Sequence, residues 1–194
     1  MKNLHFLVVS GCLFAFSITN AQIECSGVYL TAHDFEAGKL TPATDGRPRS
    51  RNAEEQVLNS KYIFINHGDY HYKMNERDVY ALQSCEGKIV RVYNDGYYTL
   101  LNPGEKILLY VVVCNPVSKG DVMTRKYFFS KDASSEIMDL TLDNLKAVFS
   151  DNQRFLNVLN IQFRTDSDLY AYDEVNKCYK VNRIFCVSSL KSNK

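Results

Sequence analysis

Lys106-Ile-Leu-Leu-Tyr-Val-Val-Val113 decides how the rest of this chain reads. From Ile107 to Val113 it is unbroken apolar or aromatic, and it is β-branched at Ile107, Val111, Val112 and Val113. The run is far too short to cross a bilayer. A strand that shows one face to water alternates polar and apolar residues, so a run without alternation fits a strand covered on both faces. The stretch is therefore expected to be the central strand of a sheet. Asn102-Pro103-Gly104-Glu105 precedes it, with proline and glycine at the two central positions of a type II turn. Upstream, Ile89-Val-Arg-Val-Tyr93 and Tyr97-Tyr-Thr-Leu-Leu101 flank Asn94-Asp95-Gly96, whose Asp-Gly pair is a hairpin signal. A three-strand meander follows.

Working outward, Lys61 to Ile65 and Tyr70 to Met74 alternate as strands around the turn Asn66 to Asp69, a second hairpin. Ile23 to Leu30 and Val79 to Leu82 read as short strands. Thr31 caps a short helix that Gly38 ends, with Asp34 near its positive end and Leu30 stapled to Phe35. Thr41 to Gln56 holds two prolines and the basic cluster Arg47 to Arg51, and reads as a solvated loop. After the loop Cys114 to Arg125, Tyr127-Phe-Phe129 and Glu136 to Leu140 read as short strands. Thr141 caps a helix with Leu142, Leu145, Val148 and Phe149 on one face; Asp151 caps a second, with Phe155, Leu159 and Phe163 in a stripe. Leu169 to Val175 fits a helical turn or a loop, and Cys178 to Val187 reads as a last strand. The expected fold is α+β: a mostly antiparallel sheet, open or curled toward a barrel, with two short C-terminal helices packed on it and a final returning strand.

Met1-Lys2-Asn3, the apolar run Leu4 to Ile18 and then Thr19-Asn20-Ala21 have the shape of an export signal over residues 1–21, leaving a single domain over residues 22–194. A rival reading takes Val9-Ser10-Gly11-Cys12 as a lipoprotein box with Cys12 acylated, but it leaves little apolar segment before the cut and strands Leu13 to Ile18 after it. No other apolar segment is long enough for a transmembrane span. The expectation is a periplasmic or secreted chain. Its 23 basic and 22 acidic residues nearly cancel, so there is no basic field for nucleic acid. Export makes disulfides the default for Cys25, Cys85, Cys114, Cys178 and Cys186, and five leave at least one without an intramolecular partner. Cys25 with Cys85 is the preferred pair, both beside turn residues at strand edges. Cys178 and Cys186 on one straight strand would lie about 25 Å apart, beyond bridging.

Val28-Tyr-Leu-Thr-Ala-His-Asp-Phe35, Gly38-Lys-Leu40, Leu101-Asn-Pro-Gly-Glu-Lys106, Tyr127-Phe-Phe-Ser130, Leu140-Thr141 with Asn144-Leu-Lys146, Asp151-Asn152 and Tyr179-Lys-Val-Asn-Arg183 together resemble a group of exported proteins from Bacteroidota-type bacteria. The resemblance spans most of the chain after residue 21. It implies export from a bacterial cell; it implies no activity and carries no catalytic residues.

The most enzyme-like cluster is His67, Asp69 and His71 in one predicted hairpin. Imidazoles and a carboxylate hold zinc or run acid-base chemistry where they converge. Zinc needs three or four convergent ligands, and His33 is the one further histidine after residue 21. Asp166-Ser167-Asp168 with Asp173 and Glu174 opens like a calcium loop but lacks its central glycine and late glutamate. No Gly-x-Ser-x-Gly elbow, Cys-x-x-Cys pair or phosphate-cradling glycine loop occurs, so no cofactor is expected. Tyr62, Tyr70, Tyr72, Tyr93, Tyr97, Tyr98 and Tyr110 fall in predicted strands, as packing residues or as a sugar- or peptide-binding face. The expected function is an exported non-enzymatic binding module for a protein, peptide or glycan. The alternative is an exported hydrolase or metal-dependent enzyme using the His67-Asp69-His71 region.

Overall fold

The computed structural model of the chain describes residues 26–44, 62–67, 70–114 and 122–190, with backbone alone at Thr44, Asn66, His67, Tyr70, His71 and Leu190. The export signal, Cys12, Cys25, the basic cluster and Asp69 lie outside the described residues. Strands β1 (Gly27–Tyr29), β2 (Thr41–Thr44), β3 (Tyr62–His67), β4 (Tyr70–Asn75), β5 (Ala81–Gln83), β6 (Ile89–Tyr93), β7 (Gly96–Leu100), β8 (Leu108–Cys114), β9 (Thr124–Ser130) and β10 (Met138–Asp139) form one antiparallel sheet. Its order is β10-β9-β8-β7-β6-β5-β1-β2-β3-β4. Helix α1 (Ala32–Glu36) follows β1; α2 (Leu142–Val148), α3 (Gln153–Gln162) and α4 (Lys180–Leu190) lie C-terminal to the sheet, with the small hairpin β11 (Tyr172–Asp173) and β12 (Cys178–Tyr179) before α4. The fold is α+β, as the sequence predicts.

The deciding stretch is an interior strand, third from the β10 edge rather than central. Its side chains alternate between two cores. Ile107 and Leu109 join Phe129 under Leu145, Phe149, Phe155, Leu159, Phe163 and Val181 from the C-terminal helices. Leu108 and Tyr110 face the other way, beside Tyr29, Ala81, Ile89 and Leu100, where Phe35 of α1 and the segment carrying Ala133 and Ile137 cover them. Those four residues are at most 4% exposed, whereas Val113 is 47% exposed, because the strand runs on past both covering layers. A third core joins Val28, Ile63, Ile65, Leu82 and Val92. Packing of β3 residues in one core with β6, four places away in the sheet, means that the sheet curls. It does not close: β4 and β10 each pair on one side only, so the barrel option is not realised.

Local chemistry explains most elements. The meander β6-β7-β8 forms as expected. Its first turn is Asn94-Asp95, both at positive φ with Tyr93 opposite Gly96, one residue earlier than the Asp-Gly signal centres it. Short polar side chains tolerate that left-handed backbone. Gly96 is instead required for space, since a Cβ there would sit 2.8 Å from the Tyr98 ring. Gly104 takes φ +88 while Glu105 N–H donates to the Asn102 carbonyl, the anticipated type II turn. Thr31 caps α1 and Thr141 caps α2 through their hydroxyls. Asn152, not Asp151, caps α3, its Oδ1 accepting from Phe155 N–H. Thr41 to Thr44, expected in a loop, pairs with both β1 and β3.

The largest departure is at the C-terminus. Only Cys178–Tyr179 is strand; Lys180 to Leu190 is helix, so the final returning strand does not exist. Val181, Ile184, Phe185 and Ser188 recur at helical spacing, and Val181 is fully buried against the helical core with Ile184 and Phe185 packed around it. Apolar and β-branched content suggested a strand; the period was helical.

Candidate functional site

Helices α3 and α4 run past each other and leave a cleft of about 460 Å³. Phe163 and Val158 from the α3 side and Ile184 and Val187 from α4 give it an apolar floor. Arg164, Lys180 and Arg183 stand on its walls with one carboxylate, Asp168. The cleft exists because α3 ends at Gln162 and the chain turns through the 3-10 helix Asp166–Asp168 and the β11–β12 hairpin before returning as α4. That turn is held by carboxylates capping backbone. Asp168 accepts from the N–H groups of Arg164 and Thr165 at 3.2 and 3.1 Å, which lowers its pKa, and Asp166 accepts from Leu142 N–H at 2.8 Å. Asp173 accepts from the Val175 and Asn176 N–H groups and from Arg183 at 2.7 Å. Bonds from Asn176, backbone and side chain, with the Arg183 guanidinium, hold its carboxyl down at about 2. The aspartates that open like a calcium loop are thus spent on backbone and on Arg183.

Two buried polar groups mark other parts of the sheet. Arg91, 5% exposed, donates to Tyr110 Oη at 3.0 Å, Ser130 Oγ at 3.2 Å and the Ser135 carbonyl at 2.8 Å. Its guanidinium sits among the rings of Tyr80, Tyr93 and Tyr110, faces no carboxylate among the described residues, and leaves Nε without a partner. It ties the covering segment after β9 down onto the sheet; burial raises the pKa of Tyr80, whose hydroxyl donates to the Ala133 carbonyl. Glu76, 7% exposed in the 3-10 helix Glu76–Asp78, accepts from the Tyr97 hydroxyl through Oε1, while Oε2 is buried and unpartnered. Desolvation raises the Glu76 pKa against the lowering effects of Tyr97 and Arg77.

The histidine cluster is placed only in part. In the β3–β4 register His67 faces Tyr70 and His71 faces Asn66, so the two histidine positions fall on opposite faces of the ladder. Their side chains and Asp69 lie outside the described residues. His33 is exposed on α1, remote in sequence from that hairpin. Among the described residues no three His, Cys, Asp or Glu side chains gather as a metal site. Cys114, Cys178 and Cys186 are free thiols, and desolvation, then Glu105 and Asp173, pushes the Cys178 thiol up, away from the reactive thiolate. Cys85, in the turn after β5, does not titrate as a free thiol. No described helix is long and apolar enough to cross a membrane.

The sequence reading missed the cleft because it took α4 as a strand. The helical recurrence of Val181, Ile184 and Ser188, with Lys180 and Arg183 on the neighbouring stripe, is the signal that would have found it. Arg91 was visible as the lone charge inside Ile89-Val-Arg-Val-Tyr93. Comparison of the chain with protein-family models, with curated proteins and with solved structures finds no match.

Proposed function

We propose that this chain is an exported, non-enzymatic binding module of a bacterial envelope, and that its protein, peptide or glycan ligand seats in the cleft between α3 and α4. Export is carried by the signal-like residues 1–21. Binding is carried by the cleft: a pocket of ligand size, with an apolar floor and a few convergent polar groups, is the usual form of a recognition site. Its polar groups suit holding rather than reacting. Asp168 is committed to backbone donors and the Ser188 hydroxyl, which also lines the cleft, donates to the Ile184 carbonyl at 2.8 Å, so the arginine and lysine cations there bind and orient. Amide NMR of the purified protein, titrated with peptide and glycan panels, tests the reading. Shifts concentrated on α3, α4 and the intervening turn, and lost in Val187→Asp, are expected. Turnover of an ester, peptide or phosphoester substrate, abolished by His71→Ala, would overturn it in favour of the enzyme.

A further inference from the structure

We propose that β4 is a homodimerisation edge: two copies of the chain pair β4 against β4, antiparallel about a two-fold axis, so that one sheet runs through both. The inference goes beyond the cleft and does not depend on what the cleft binds.

The two ends of the sheet differ. β10 is two residues long, and its chain leaves at once for α2: Leu140 N–H donates to the Tyr127 carbonyl and Thr141 then caps the helix. β4 is six residues long, pairs one for one with β3 from Tyr70 to Asn75 without a bulge, and contains neither proline nor glycine. Among the described strands it has a neighbour on one side only. A regular edge of that length presents a row of backbone N–H and C=O groups on which another strand pairs.

Sheets block such edges with bulges, prolines or a charge standing at the edge. The one permanent charge of β4 is Lys73, and it is drawn back over its own hairpin: Nζ lies 3.6 Å from the centroid of the Tyr62 ring on β3, on the side away from the open edge. Tyr72 shows what the edge lacks. It stands opposite Ile65, on the face where Ile63, Ile65 and Met74 enter the core. Ile63 and Ile65 are fully buried, yet Tyr72 is 40% exposed, because no further strand covers the outer flank of β4.

Self-complementarity identifies the occupant. A two-fold axis at Tyr72 sets that ring opposite its own counterpart as an aromatic cross-strand pair, and sets Lys73 opposite position 71. An axis at Lys73 would oppose two like charges, which is destabilising, so the charge selects the register. β4 carries no carboxylate and its lysine is engaged with Tyr62, so the edge has no charge left to select an ionic peptide. Two-fold pairing also uses both long edges at once and leaves only the two-residue β10 at either end, so the assembly closes at two copies. A ladder about 20 Å long is small for a specific interface, and association in the micromolar range is expected.

Sedimentation equilibrium of the purified protein, from about 1 to about 200 μM, brackets that range. The mass is expected to rise from one copy to two and no further. Tyr72→Lys places like charges across the axis and is expected to weaken association about tenfold or more. Tyr72→Cys is the positional test, because directly opposed residues of antiparallel strands lie about 4.5–5.5 Å apart between Cα atoms, within bridging range. Mild oxidation is expected to yield a dimer that peptide mapping shows linked through residue 72, with the parent protein as control for its native thiols. A single copy at every concentration overturns the inference, and so does growth beyond two copies. A dimer that survives Tyr72→Lys unchanged and does not crosslink at residue 72 overturns it in favour of another interface. Should the lysine variant fail to fold, the crosslink decides alone.

Discussion

Asn182 holds both backbone groups of Ile107: its Oδ1 accepts the Ile107 N–H at 2.8 Å and its Nδ2 donates to the Ile107 carbonyl at 2.8 Å. Helix α4 thereby does for the start of the deciding stretch what a neighbouring strand would do. Asn102 continues the device, donating to the same carbonyl at 2.8 Å and accepting from Leu109 N–H at 2.7 Å. A buried strand end with no partner strand is otherwise costly, since an orphaned backbone group loses water and gains nothing.

Removing the clamp has a stated direction. Asn182→Ala orphans the buried Ile107 N–H while its carbonyl keeps Asn102, and the expected loss is about 1 to 3 kcal/mol. Asn182→Asp keeps an acceptor but turns a second oxygen toward the Ile107 carbonyl, so it is expected to be worse than alanine at neutral pH. The introduced acid is less acidic folded than unfolded, so its penalty shrinks as pH falls and the protonated carboxyl becomes a donor. Urea denaturation at pH 7 and pH 4.5 checks both points. An aspartate variant as stable as the parent at pH 7 would refute the clamp.

Arg91 makes the opposite kind of claim, because a buried charge without a carboxylate is expensive and its removal need not be. Arg91→Lys keeps the charge but cannot reach Tyr110, Ser130 and Ser135 together, and the expected cost is about 2 to 4 kcal/mol. Arg91→Met keeps the stem and removes the charge; Tyr110 and Ser130, 3.0 Å apart, can still bond each other. Methionine is therefore expected to be the milder substitution, which is the reverse of chemical similarity. Denaturation midpoints that rank lysine above methionine would contradict this account.

Legibility followed the range of the interactions. The turns at Asn94-Asp95 and Asn102–Glu105 and the caps at Thr31 and Thr141 are decided by neighbours in sequence, and each is present. Both-face burial of Ile107 to Tyr110 was readable because no other placement absorbs such a run. The failures are long-range. Thr41 to Thr44 becomes a strand only because β1 and β3 are there to pair with it. The α4 segment mixes β-branched and apolar residues that satisfy either a strand or a helix by composition; burial of Val181 and the reach of Asn182 to Ile107 select the helix. Since the cleft needs α4 as a wall, losing the helix meant losing the site.

Glu76 gives the sheet a pH dependence of unusual sign. Burial raises its folded pKa above the unfolded value, so the folded state binds the proton more tightly. Its contribution is most favourable below the unfolded pKa and is lost as pH rises from there through the folded pKa. Glu76→Gln retains an acceptor for the Tyr97 hydroxyl and carries no charge, and is expected to raise the melting temperature at pH 7 while changing it little at pH 4. Asp173 runs the other way: held at about 2, it adds stability above the unfolded pKa that is lost as pH falls through that window. Melting curves of parent, Glu76→Gln and Asp173→Asn from pH 3 to 8 separate the two. A glutamine variant that melts lower than the parent at pH 7 would show that the ionised carboxylate stabilises the curl.

The β1–β5 register makes the preferred disulfide specific. Gly27 pairs with Gln83, Val28 with Leu82 and Tyr29 with Ala81. In the sequence Cys25 precedes Gly27 by two residues and Cys85 follows Gln83 by two, so the expected pair flanks the end of this register. Cys85 does not titrate as a free thiol, while Cys114, Cys178 and Cys186 are free. Alkylation before reduction is expected to label those three and spare Cys25 and Cys85, and non-reducing peptide mapping to recover Cys25 linked to Cys85. Cys25→Ser is expected to cost about 2 to 5 kcal/mol, since the bridge would close a long loop that includes β2, β3 and β4. β1 has three residues and lies between β5 and β2, so a covalent tie there would hold together the two halves of the sheet. Recovery of Cys85 linked to any other cysteine, or as an alkylated thiol, would sink the pairing.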